Sequence, residues 1–133
     1  MKRFDWTVIR SAATAGLLAI APSAVLAEII FGDGPAALAW LFLLVILFGF
    51  GLAGYVAGRL RPDTPIAHGI LSGLLCFVVA QAFGFAVVLS RGDRIAWVAI
   101  PLTALLAASL SAAGALTSDA VHRREVRASP NRG

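Results

Sequence analysis

Inside the apolar stretches of this sequence, few side chains can do chemistry: His68, Glu28, Gln81 and Cys76. An imidazole in that setting serves a proton path, holds a ligand, or fixes a loop through a hydrogen bond. His68 follows Thr64-Pro65 by about one helical turn, where the positive end of a helix disfavours a second cation. A neutral ring with one donor is therefore expected, bonded to a loop carbonyl or to Asp63. Glu28 is the carboxylate of the apolar spans, and acids within a membrane are functional candidates by default. It sits close to the far end of its stretch, where it can reach water, so an interfacial role is expected. Gln81 stands near the middle of its stretch and should hydrogen-bond across to another helix. Cys76, in an apolar run, reads as an inert packing group. Thr103, Ser109 and Ser111 are expected to bond the carbonyls of their own helix.

The rest of the inventory is negative. There is no phosphate loop, no pair of catalytic carboxylates, no nucleophile beside a base, and no set of ligands with metal spacing. One cysteine excludes an intrachain disulfide. A non-enzymatic protein without a cofactor is the expectation.

These residues are carried by four apolar stretches, at about 12–31, 36–58, 65–89 and 95–117. Each is near the roughly 20 residues that a helix needs to cross about 30 Å of hydrocarbon. The chain is 59% hydrophobic and 14% charged, with a mean hydropathy of +0.88. Soluble domains carry about 25% charge. The expected fold is an all-α, polytopic transmembrane bundle of four helices, one domain over residues 1–117, followed by a basic tail at 118–133.

The first stretch is the weakest. A basic start, an apolar run and Val25-Leu26-Ala27 suit a secretory signal cut after Ala27, with Pro22 as its helix breaker. The run continues through Ile29, Ile30 and Phe31, which suits a retained helix, and that is the expectation. Gly32-Asp33-Gly34-Pro35 reads as a turn. The second stretch is the strongest, with twelve Leu, Ile, Val or Phe residues between Leu38 and Val56. Thr64 and Pro65 read as the N-cap and first residue of the third helix.

Nine of the eleven cations fall on one side of the threaded chain: Lys2, Arg3, Arg10, Arg59, Arg61, Arg123, Arg124, Arg127 and Arg132. Only Arg91 and Arg94 fall on the other. The positive-inside rule then places both termini in the cytoplasm. The net charge of +4 flanks apolar spans, so lipid headgroups rather than nucleic acid explain it. The cluster at His122–Arg127 reads as a headgroup anchor, or as a dock for a soluble partner.

Lipid tails are as apolar as leucine, so helices associate where small side chains let backbones approach. Gly51, Gly54 and Gly58 share one face of the second helix, bordered by Tyr55. Gly69, Gly73, Cys76, Ala80 and Gly84 share one face of the third, and Ala104, Ala108, Ser111 and Ala115 one face of the fourth. The stripes serve either packing within one bundle or association between copies.

The run Gly51-Leu52-Ala53-Gly54-Tyr55-Val56-Ala57-Gly58-Arg59, followed by Ala67-His68-Gly69 and Gly73, resembles a pattern in small bacterial four-helix membrane proteins of uncharacterised function. The resemblance covers the second and third stretches. It implies a shared hairpin with Tyr55, Arg59 and His68 near the cytoplasmic rim, and it implies no activity. The expected role is an accessory, structural or self-associating bundle in a bacterial cytoplasmic membrane, partnered by the lipid bilayer and by a second copy or another membrane protein. The alternative is a small transporter or channel subunit working as a homodimer.

Overall fold

The computed structural model describes residues 5–31, 36–92, 94 and 97–128, the side chains of 23–31, 36–42 and 99 excepted. These residues form four helices, α1 (Trp6–Phe31), α2 (Ala36–Leu60), α3 (Pro65–Arg91) and α4 (Ala99–Ala128), and no strand. Stretches of α2, α3 and α4 are long and apolar enough to cross a membrane. The chain is an all-α membrane bundle. The turn expected at 32–35 lies outside the described residues.

α2 and α3 pack together at the centre. α1 lies against both on one side and α4 against both on the other; the described residues of α1 and α4 do not touch. Large side chains such as Leu18, Phe48 and Leu105 face outward. In water that surface would be a liability, whereas in lipid it is the solvated face.

Two helices exceed their sequence boundaries at the end where the chain's cations gather. α1 begins at Trp6 rather than near Ala12, because Asp5 caps it. The Asp5 carboxylate accepts the backbone N–H groups of Thr7 at 3.1 Å and Val8 at 3.4 Å, which satisfies two of the donors a helix start leaves unpaired. Ile9, Ala12, Ala13, Gly16 and Ile20 then form its buried stripe. α4 runs to Ala128, so the tail expected from 118 onward is helical over most of its length. An i,i+4 pair between Asp119 and Arg123 at 2.8 Å supports that extension.

At the opposite end, α3 stops at Gly92, which takes the left-handed conformation (φ 72°) and donates its N–H to the carbonyls of Leu89 and Val88. Glycine adopts that conformation without the penalty a Cβ would impose. α4 starts at Ala99 instead of Ile95. Pro101 falls in its first turn, where a missing N–H goes unnoticed.

Candidate functional site

Two places gather the residues that could act, and they lie in opposite halves of the bundle. The first is a polar rim at the basic end. His68 is 3% exposed, one turn into α3. Its Nε2 accepts the backbone N–H of Asp5 at 3.2 Å. An Nε2 that accepts carries no proton, so Nδ1 is the protonated nitrogen. Nδ1–H is shared between the hydroxyl oxygen of Thr64 at 2.9 Å and its carbonyl oxygen at 3.1 Å. The imidazole thus ties the start of α1 to the start of α3.

This corrects one expectation and extends another. Thr64 occupies the N-cap position, but its hydroxyl makes no capping bond; it turns to His68 instead. His68 does bond a loop carbonyl, that of Thr64, and in addition accepts the backbone N–H of Asp5. An Asp immediately before an apolar periodic run is a capping signal, and it would have found this residue.

Charged groups extend the rim. Arg61 lies between Asp5 (3.7 Å) and Asp63 (3.6 Å). Arg59 donates to Glu125 at 2.9 Å, across from the end of α2 to the extension of α4. The rim therefore contains Arg59 and His68, and half-buried Tyr55 lies just inside it.

Below the rim the helices meet at a three-helix junction. Ser111 of α4 is fully buried and sits against Gly54 of α2 and Gly73 of α3. Its hydroxyl donates to the Phe50 carbonyl at 2.8 Å. Ser111 therefore reaches across to α2, contrary to the self-helix bond expected of it. Ser109 does bond its own helix, at Leu105. Gly58 faces Ala115 and Ser118, and Gly69 faces Ala115 and Ser111. Gly51 packs its carbonyl against Gly114, a residue the sequence stripes omitted. The buried line on α4 runs Ala107, Ser111, Ala115, Ser118; half-buried Ala104 continues it against the core, and Ala108 lies beside it. Gly16 and Gly49 make a further close approach between α1 and α2 that sequence reading did not isolate. The five glycines at 51, 54, 58, 69 and 73 thus pack within one copy.

Gly84 does not. No atom of the described residues lies within 4 Å of the place its Cβ would take. It lines the second place of interest, a cavity of about 520 Å³ in the half of the bundle away from the basic end. Ile20, Phe50 and Phe77 close the cavity on the junction side, and all three are buried. Leu43, Phe83 and Leu106 stand on its open side. Its polar groups among the described residues are Gln81 and Thr103, and the Thr103 hydroxyl donates to the Ile100 carbonyl at 3.1 Å. The Gln81 carboxamide meets no hydrogen-bond partner among the described residues. The interhelical bond expected of Gln81 is thus not made there.

No family model, curated protein or solved structure matches the chain. No relative therefore lends a role to any of these residues. Glu28 lies on the last turns of α1, and its side chain is outside the described residues. Cys76 is buried at the level of Gly16.

Proposed function

We propose that the chain is a non-enzymatic integral membrane protein of a bacterial cytoplasmic membrane, acting as an accessory four-helix bundle with both termini in the cytoplasm. The observation that carries this reading is the junction around Ser111. Gly51, Gly54, Gly58, Gly69 and Gly73 already hold α2, α3 and α4 of one copy together, which weighs against self-association through those stripes. What the bundle offers outward is a lipid-facing apolar surface and a polar rim. The sequence count of nine cations against two supports the orientation. The hairpin of α2 and α3 is the part that resembles the small bacterial four-helix proteins.

The test is purification from native membranes in mild detergent, with two differently tagged copies expressed together. The expected result is a stoichiometric partner membrane protein with no capture of one tag by the other. Capture of the second tag without any other protein would replace this reading with a homo-oligomer.

The second reading is a small transporter, and the cavity is what favours it. A solute path would need the cavity to connect to the rim, past Ile20, Phe50 and Phe77. Proton-coupled flux in liposomes that disappears with Glu28→Gln or His68→Asn would establish that reading. Wild-type protein without flux would dismiss it.

A further inference from the structure

We propose that the cavity in the half away from the basic end binds the ring of a membrane-dissolved isoprenoid quinone, with the Gln81 carboxamide donating to a ring carbonyl oxygen. Three observations converge on that ligand, and none of them depends on the accessory role proposed above.

The first is the depth of the polar group. α3 has 27 residues and is about 40 Å long at 1.5 Å per residue. Gln81 lies three residues outward of its midpoint at Val78, which is about 5 Å. With a hydrocarbon half-thickness of about 15 Å, the carboxamide sits roughly 10 Å inside the nearest lipid ester groups. A phospholipid tail can fill the cavity, but it brings no acceptor to that depth. Quinone rings dissolve in the hydrocarbon layer and carry their carbonyls with them.

The second is the state of the carboxamide itself. It has two donors and an acceptor, it faces an apolar cavity, and it has no partner among the described residues. Polar groups in hydrocarbon are unfavourable unless bonded. A ligand carbonyl supplies an acceptor that no described residue offers.

The third is the room beside it. Gly84 lies three residues along α3 from Gln81 on the same cavity wall. Glycine is a poor helix residue, and nothing within 4 Å requires it here. Its missing side chain enlarges the cavity next to the carboxamide. The volume of about 520 Å³ is in the range of small-molecule sites. Phe50 and Phe77 at the closed end and Phe83 at the open side provide apolar surface for a flat ring, and the open side lets a prenyl tail pass into lipid.

The test uses the full chain in phosphatidylcholine nanodiscs, with tritiated decyl-ubiquinone as the probe and empty nanodiscs as the reference. Decylbenzene, which has an equal tail and no carbonyl, is the competitor. The expected result is saturable binding of one probe per chain. Gln81→Leu should weaken binding about tenfold, the scale of one lost hydrogen bond. Gly84→Leu should abolish it by filling the cavity, with helicity retained and melting not lowered, since nothing among the described residues crowds the Cβ position and leucine is the better helix former. Decylbenzene should compete at least tenfold more weakly. Retention no greater than that of empty nanodiscs, equal binding by folded Gln81→Leu, or equal competition by decylbenzene would each overturn the proposal. The last result would mean that the cavity accommodates acyl chains.

Discussion

The two halves of this bundle are built on opposite rules. Toward the basic end, α2, α3 and α4 meet through Gly54, Gly73 and Ser111, with Gly58, Gly69 and Ala115 one turn further on. Away from it, the facing residues include Leu43, Leu47, Phe83, Val87 and Leu106, and a cavity remains between them. Among the described residues, the half richer in large apolar side chains is the one that keeps a cavity. In water, large apolar side chains would drive the helices together. In lipid that drive is absent, and bulk holds helices apart while bare backbone lets them close.

The sharpest way to break this contrast is one substitution made in both halves. At Gly54 a Cβ would fall on the backbone of Ser111, which cannot rotate out of the way. A clash with backbone belongs at the upper end of the roughly 1–3 kcal/mol that overpacking costs, and the roughly 1 kcal/mol that alanine gains in helix propensity offsets only part of it. Gly54→Ala should lower stability by about 2 kcal/mol. At Gly84 only the propensity gain remains, so Gly84→Ala should raise stability by about 0.5–1 kcal/mol. Unfolding in mixed detergent–SDS micelles, followed by far-UV circular dichroism, measures both. Equal effects of the same sign would erase the distinction between the halves.

The rim comes next. His68→Ala removes the acceptor for the Asp5 N–H and the donor to Thr64. At about 1 kcal/mol per hydrogen bond, the loss should be about 2 kcal/mol, concentrated where α1 meets α3. Limited proteolysis should then cut near Trp6 faster than in the wild type, with the α2–α4 junction still protected. A uniform loss of protection would show that the imidazole supports the whole core instead of one corner.

Much of this was legible before any coordinates. Four helices followed from four apolar runs, because a bilayer sets their length and their composition at once. The faces of α2 and α3 followed too, since spacing along one helix reports which residues share a face. What spacing cannot report is what lies opposite. Ser111 reads as a hydroxyl able to bond its own helix, and only the approach of Phe50 gives it a better acceptor. Gly84 continues the stripe of Gly69 and Gly73 in register, yet nothing among the described residues comes within 4 Å of its Cβ position. Gly16 and Gly49 are unremarkable in their own runs and matter only as a pair. Asp5 is the exception: an Asp directly before an apolar run is a local capping signal that the sequence itself carries. The cavity was invisible because it belongs to no single helix; it is what four walls leave unfilled.

Ser111→Ala sharpens the junction further. The hydroxyl is fully buried and donates to the Phe50 carbonyl at 2.8 Å. Interhelical hydrogen bonds in membranes are worth about 0.6 kcal/mol on average and up to about 1.7, so a loss of about 1 kcal/mol is expected. Serine and alanine are both small, so the backbone approach to Gly54 should survive. If Ser111→Ala cost as much as Gly54→Ala, the hydrogen bond rather than the close approach would be holding the junction.

The smallest effect should come from the most conspicuous charge contact. Arg59 and Glu125 meet at 2.9 Å, with side chains 41% and 56% exposed. Exposed pairs gain little over their hydrated ions and are screened by salt, so their worth is about 0–1 kcal/mol. Glu125→Gln should therefore change global stability by under about 0.5 kcal/mol, with the difference vanishing in high salt. The local consequence is easier to detect. This pair is what ties the last turns of α4 to the end of α2, and the extension beyond Ser118 has no apolar stripe facing the bundle. Amide exchange over 119–128 should quicken in Glu125→Gln while Ala107–Ala115 stays protected. If the variant instead destabilised the whole bundle by more than about 1.5 kcal/mol, the rim would be holding the helices together, and the small-residue junction beneath it would be a consequence of that clamp.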